Sequence, residues 1–216
     1  MKRLIVSATA LELKGVGDLP SDMSPGTLIK GEKVDFLVAG VGQAITAYHL
    51  GNVFAKNHYD EAVNIGICGS FRREISPGTV VVLTSDCFAD LGAEDDESWI
   101  DVFTMGLAAS GQKPFTDGIL KADDIAAFRH LKKVKGITVN RATGNETTIE
   151  KLRKYYDADV ETMEGAAFYY ACLSKDVPCV QVRGVSNFIE KRNRNNWEIE
   201  KALKALHSEL AMYLNA

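Results

Sequence analysis

Two short runs of this chain, Ala62–Ile67 (AVNIGI) and Thr79–Thr84 (TVVVLT), are apolar almost without interruption. A strand that covers a core on one side alternates apolar and polar residues, whereas a strand apolar throughout must be covered on both sides. Further β-branched-rich runs lie at Lys2–Ala8, Lys33–Ala39 (KVDFLVA), Gly136–Arg141 (GITVNR) and Pro178–Arg183 (PCVQVR). Helical patterns fall between them, at Gln43–Asn57 and Glu164–Ser174. At the C-terminus Ile199, Ala202, Leu203, Leu206, Leu210, Tyr213 and Leu214 share one helical face. Asn195 with Glu198 three residues on reads as a capping box starting that last helix. Doubly buried strands alternating with helices predict an α/β fold, one domain over residues 1–216, with helices on both faces of the sheet. Leu91–Phe115, acidic and then Gly/Ser-containing, reads as a long excursion carrying Trp99 and Phe103, a lid or an oligomer contact.

Composition narrows the classes. A chain of 216 residues buries roughly 70% of its unfolded surface, enough for a core and a deep pocket. Lys+Arg 25 against Asp+Glu 29, with the basic residues dispersed, argues against a nucleic-acid footprint. The longest apolar runs, such as Val80–Leu83, fall far short of the ~20 residues that a membrane span needs. The start resembles a signal peptide, but Glu12 and Lys14 interrupt its short apolar stretch, so a first core strand is expected there. Cys68, Cys87, Cys172 and Cys179 form no CxxC pair; they read as reduced core thiols of a cytoplasmic protein. No His/Asp/Glu cluster has ligand spacing, so neither a metal nor a cofactor is expected.

Familiar catalytic motifs are absent. Gly40-Val41-Gly42 is followed by Ile45 where a dinucleotide fingerprint wants a small residue, and no glycine run leads to a P-loop lysine. The chain has no GxSxG and no HExxH, and His49, His58, His130 and His207 are scattered. Ligands in α/β sheets sit beyond the strand C-termini. Four clusters lie at such places: Ala8–Glu12, Gly40–Gly42, Gly66–Ser70, and a bipartite set of Glu161–Ala167 with Arg183–Asn187. Taken singly, each reads as well as a turn, a cap or a solvated carboxylate.

Taken together and in order, they carry a resemblance. ATALE (Ala8–Glu12), GVGQ (Gly40–Gln43), NIGICG (Asn64–Gly69), Met163-Glu164 followed by GAA, and VRGVSN (Val182–Asn187) resemble the nucleoside phosphorylase and nucleosidase superfamily over nearly the whole chain. FADLGAED (Phe88–Asp95), MEGAAFYYACL (Met163–Leu173) and VSNFIEKRNRNNW (Val185–Trp197) are similar to the futalosine hydrolases within it. The resemblance implies a three-layer α/β/α sandwich around a central mixed sheet, a small nucleoside as substrate, and a homodimer or larger homo-oligomer. It also implies roles. Glu164 would accept from both ribose hydroxyls with Met163 under the sugar, and Glu12 would deprotonate the attacking water. Arg183 would hold that water or a nearby carboxylate, and the backbone of Cys68 and Gly69 would lie along the purine.

At the position where related nucleosidases carry an aspartate facing N7, this chain has Asn187. An amide accepts from a protonated N7 and donates to a 6-keto oxygen, which favours hypoxanthine or guanine as the leaving base. Thr147 stands where an aromatic residue would stack on the purine, so Phe88 or Phe188 becomes the candidate partner. The arginine and serine with which related phosphorylases bind phosphate correspond to Asn64 and Ile67, pointing to water as the nucleophile. Futalosine hydrolysis leads. A nucleosidase for methylthioadenosine, S-adenosylhomocysteine or aminodeoxyfutalosine stays open, as does an inactive nucleoside-binding protein on the same fold.

Overall fold

A computed structural model describes residues 1–96 and 98–215. In chain order its elements are β1 (Arg3–Ser7), α1 (Ala10–Leu13), β2 (Leu28–Ile29), β3 (Val34–Val38), α2 (Gln43–Phe54), β4 (Glu61–Ser70), β5 (Val80–Asp86), β6 (Gly92–Asp95) and β7 (Ser98–Asp101). They continue with β8 (Leu120–Lys121), β9 (Lys132–Thr138), α3 (Glu146–Tyr155), β10 (Val160–Thr162), α4 (Gly165–Leu173), β11 (Cys179–Phe188) and α5 (Ile199–Asn215). The expected α/β sandwich with a mixed sheet is present. Its sheet runs β10-β9-β5-β11-β4-β1-β3-β2, and β4 pairs in parallel with both β1 and β11. β10 pairs with β9 on one side and antiparallel with β4 on the other, so this half of the sheet curls into a closed ring.

Both faces of the sheet are covered, as the apolar runs demanded. On one face α2 and α4 pack Leu50, Val53, Phe168 and Tyr169 against Leu4, Val6 and Leu37 of β1 and β3. On the other, Leu206, Leu210 and Tyr213 of α5 lie against Ile5, Val63, Val180 and Val182. Leu206 is fully buried, and truncating such a leucine to alanine costs roughly 2–5 kcal/mol.

Three local readings change. The last helix starts at Ile199, later than an Asn195 cap would place it. Asn195 belongs to a preceding 3-10 turn that Asn193 caps, its side chain accepting from the Asn195 N–H at 3.1 Å. With Asn195 inside that turn, the residue that precedes the helix is Glu198. The Leu91–Phe115 excursion contains a hairpin of β6 and β7, with Trp99 Nε1 donating to Tyr156 Oη at 3.0 Å. Glu146–Tyr155, absent from the helices read in sequence, is a helix whose cap is Asn145, accepting from the Thr148 N–H.

Candidate active site

The C-terminal ends of β1, β4, β10 and β11 meet around a cavity of about 310 Å³. Glu12, Cys68, Gly69, Met163, Glu164 and Asn187 all line it, coming from four separate stretches of sequence.

Glu12 sits in the single turn α1 just past β1. Its Oε2 accepts from the Ala8 and Thr9 N–H groups, each at 2.9 Å, and its Oε1 from the Ile67 N–H at 3.3 Å. Three backbone donors therefore fix the carboxylate at the cavity floor. Burial pushes its pKa up, opposed by the Arg183 charge and these hydrogen bonds. Glu164 ends the turn between β10 and α4, where its Oε1 accepts from the Gly42 N–H at 3.0 Å. Gly42 has φ +93°, a left-handed backbone open to glycine at no steric cost, and this turn is what aims its N–H at Glu164. Burial raises the Glu164 pKa too, with Arg183 again opposing and Glu12 adding to the rise.

Arg183 is fully buried and stands behind the cavity floor, outside the wall itself. Its Nη2 donates to Gln181 Oε1 at 3.0 Å and to Asn64 Oδ1, while Nη1 has no partner among the described residues. Gly66 lies between Arg183 and Glu12. A Cβ there would strike Arg183 Nη1 and come within 2.6 Å of Glu12 Oε1. Arg183 thus acts on Glu12 and Glu164 through its charge from behind the cavity floor, and of the two roles expected of it this placement fits the one beside a carboxylate. Asn64, expected to stand in for a phosphate-binding cation, is turned inward: its Nδ2 donates to the Val6 carbonyl at 3.0 Å and its Oδ1 holds Arg183.

Asn187 follows a β-bulge at the end of β11. Its Oδ1 accepts from the Ser186 hydroxyl at 2.8 Å, and its Nδ2 donates to the Phe188 carbonyl at 2.9 Å. These bonds fix the amide's orientation and leave one N–H and one oxygen lone pair for a ligand.

Two expected residues stand elsewhere. Thr147 is exposed on the second residue of α3, because the Asn145 cap starts the helix there and turns it to solvent; Thr143, four residues earlier, reaches the cavity instead. Phe88 packs edge-on against Phe115 and Tyr170 under α4, with ring centroids 6.3 and 6.2 Å away. Phe188 does line the cavity, as do Trp197 and Glu161. Glu161 lies in the stretch singled out from sequence, yet its position beside Met163-Glu164 gave it no role of its own. Trp197 closes the Val185–Trp197 stretch quoted from sequence, but only the fold, by bringing that loop over the cavity, gives it a place in the site.

Among the described residues no group of three or more His, Cys, Asp or Glu side chains is placed to hold a metal ion. No helix of those residues is long and apolar enough to cross a membrane.

Comparison with known proteins agrees with this geometry. Residues 21–215 match the model of the phosphorylase superfamily. The chain belongs to that superfamily. A futalosine hydrolase of Acidothermus cellulolyticus is 30% identical over 98% of this chain and 89% of its own length. One from Streptomyces coelicolor is 32% identical over 80% of this chain and 74% of its own. In structure, the chain superposes on a 5′-methylthioadenosine/S-adenosylhomocysteine nucleosidase of Colwellia psychrerythraea solved with adenine. The TM-score is 0.80 at 21% identity, covering 100% of this chain and 95% of that one, which establishes the shared fold.

Proposed function

We propose that the protein hydrolyses the N-glycosidic bond of futalosine, releasing hypoxanthine and dehypoxanthine futalosine, as a step toward menaquinone. The observation that carries this reading is the cavity itself: a buried carboxylate at its floor, a second carboxylate beside it, and an amide at its far end. Glu12 takes a proton from water as the water oxygen bonds to the anomeric carbon. The bond from that carbon to N9 breaks, and its electron pair passes into the purine. A proton from solvent water reaches N7, and hydrogen bonding by Asn187 stabilises the departing base. Glu164 accepts from the ribose hydroxyls, charge-assisted bonds that strengthen as the sugar gains positive character. Four free cysteines, three of them buried, fit a reducing, cytoplasmic setting.

Val41, Ile45 and Tyr48 form an exposed apolar stripe at the start of α2, beside the cavity mouth, and a second copy of the chain would cover it. The proposed enzyme is therefore a homodimer or a larger assembly. Sedimentation should show no monomer at micromolar concentration; a monomer that retains full turnover refutes the assembly.

The decisive experiment incubates the protein with futalosine, inosine and methylthioadenosine, with and without phosphate. Hypoxanthine release from futalosine in phosphate-free buffer is expected. A strict need for phosphate with a sugar 1-phosphate product, or release of adenine in preference, overturns the reading.

A further inference from the structure

Glu161 stands in the cavity wall and takes no part in the water or ribose chemistry. It occupies the centre of β10, only 7% exposed, and its Oε1 accepts from the Thr143 N–H at 2.8 Å. Its other oxygen, Oε2, is buried, and no donor among the described residues reaches it within hydrogen-bond distance. A buried acceptor left unmet costs about 1–3 kcal/mol, more when charged. Such a cost is sustained where a ligand supplies the missing donor.

The strand register shows which part of a ligand that donor belongs to. Glu161 of β10 lies opposite Gly69 of β4, and Asn187 of β11 lies opposite the same Gly69 on the other side. The two side chains flank one glycine, and a side chain there would strike Ile189 and crowd the Asn187 amide, so glycine keeps both in place in the cavity wall. A base held there with its N7 and 6-substituent toward Asn187 turns its adjoining edge, which begins at N1, toward Glu161. In a 6-oxopurine N1 carries a hydrogen. In a 6-aminopurine N1 is a bare lone pair.

We propose that Glu161 selects 6-oxopurines by accepting the base N1–H at Oε2. The contact is a charge-assisted hydrogen bond to an otherwise unmet acceptor, so it favours the oxo base. Against a 6-aminopurine, lone pair would face carboxylate. The arrangement also removes the competing option, because the Thr143 N–H, a donor in the same wall that would suit a bare N1, is already bound to Glu161 Oε1. Glu161 and Asn187 thus read two neighbouring edges of one base, and both readings agree on the oxo form. This inference rests on the 6-oxopurine reading made above.

The test has two arms. In the first, wild-type protein is titrated with hypoxanthine, 1-methylhypoxanthine and adenine. Hypoxanthine should bind about 5- to 150-fold more tightly than its 1-methyl derivative, the range one buried hydrogen bond spans. Equal affinities overturn the proposal without any variant. In the second, kcat/KM for futalosine and for its 6-amino counterpart is measured in wild type and Glu161→Gln. The Thr143 N–H keeps the new amide oxygen, so the amide nitrogen takes the place of Oε2 and presents a donor. The variant should therefore lose futalosine activity while its relative activity on the 6-amino substrate rises. If wild type hydrolyses futalosine and the ratio is unchanged in a folded Glu161→Gln protein, Glu161 does not read N1 and only this inference falls. If wild type prefers the 6-amino substrate, the 6-oxopurine reading falls and takes this inference with it.

Discussion

Gln181 Nε2 donates to Asp86 Oδ2 at 2.9 Å, and this bond decides which end of the Gln181 amide meets Arg183. With its nitrogen held by the aspartate, Gln181 turns Oε1 to the guanidinium and accepts from Nε at 3.3 Å and Nη2 at 3.0 Å. The other oxygen of Asp86 accepts from the Thr138 hydroxyl at 2.9 Å, and Thr138 Oγ1 in turn accepts from the Ala166 N–H at 2.8 Å. One buried aspartate therefore supports both Arg183, behind Glu12, and the turn that carries Glu164. Gly165 lies where this network passes α4: a Cβ would strike Gln181 Oε1 and Asp86 Oδ2.

Asp86→Asn should break this support without removing bulk. Its amide nitrogen would face Gln181 Nε2, donor against donor, so Gln181 must flip and set its own amide nitrogen against Arg183. Losing hydrogen bonds to a charged group costs about 1.5–3 kcal/mol, so kcat should fall roughly 10- to 150-fold. KM should move much less, because no substrate contact changes. Steady-state kinetics on a variant with native circular dichroism checks this; an unchanged kcat shows that Arg183 needs no fixed orientation.

Asp86 also makes stability depend on pH. Burial raises its pKa to about 6, against the lowering effect of its hydrogen bonds and of Arg183. The folded chain holds that proton more tightly than the unfolded chain does. The contribution to stability is thus complete below the ordinary aspartate value and is lost as pH rises through about 6. Melting temperatures of wild type and Asp86→Asn, measured from about pH 4 to 7, should show the wild type losing ground to the variant as pH rises. A constant difference refutes the linkage.

Much of the site was legible in sequence because it is carried by strand ends. Glu12 and Asn187 lie just past runs that read as strands, whereas Glu164 follows a three-residue strand with two polar residues and was singled out by its Met163-Glu164 motif. What sequence did not show depends on register and on long-range hydrogen bonds. The pairing of Glu161 and Asn187 across Gly69 requires β10 to close on β4, which no local pattern encodes. Thr147 and Phe88 were misplaced for related reasons: a one-turn shift set by the Asn145 cap, and a strand end that faces α4. Arg183 was recognised, but only the fold shows that Gln181, Asn64 and Asp86 hold it away from the cavity.

Gly66 sets the spacing of Arg183 and Glu12. Gly66→Ala would push a methyl group into both, and neither can retreat, since each is held by several hydrogen bonds. Overpacking of this kind costs typically about 1–3 kcal/mol, so the protein should fold with a lowered melting temperature and lose most of its turnover. Thermal denaturation together with futalosine kinetics tests this; turnover close to wild type means that the separation is not critical.

Glu12→Gln keeps the shape of the side chain and removes the proposed base. Turnover should drop about 10²- to 10⁴-fold with substrate binding largely kept. In wild type, the raised Glu12 pKa places the acid limb of kcat above the ordinary carboxylate range. Activity falls as pH falls through that raised value, because protonation removes the base, and it levels off above it. A pH–rate profile flat through this range, or a Gln variant of normal turnover, assigns Glu12 a purely structural role.

The proposed reading of the base at its 6-position rests on Asn187. The Ser186 hydroxyl and the Phe188 carbonyl hold the amide in one orientation, with an N–H left for an oxo group. Asn187→Asp exchanges that donor for an acceptor. Opposite a 6-keto oxygen the carboxylate is repelled, and one unmet buried polar group costs about 1–3 kcal/mol, or roughly 5- to 150-fold in rate. Opposite a 6-amino group the same carboxylate accepts a hydrogen bond. The ratio of kcat/KM for futalosine over its 6-amino counterpart should therefore drop by at least the lower end of that range in the variant. The two base-reading residues also predict a pattern in combination. If Asn187 and Glu161 contact the same base, Asn187→Asp and Glu161→Gln together should shift the ratio by an amount different from the product of the single shifts, since groups sharing a partner are coupled. A ratio that Asn187→Asp leaves unchanged removes Asn187 from base selection altogether.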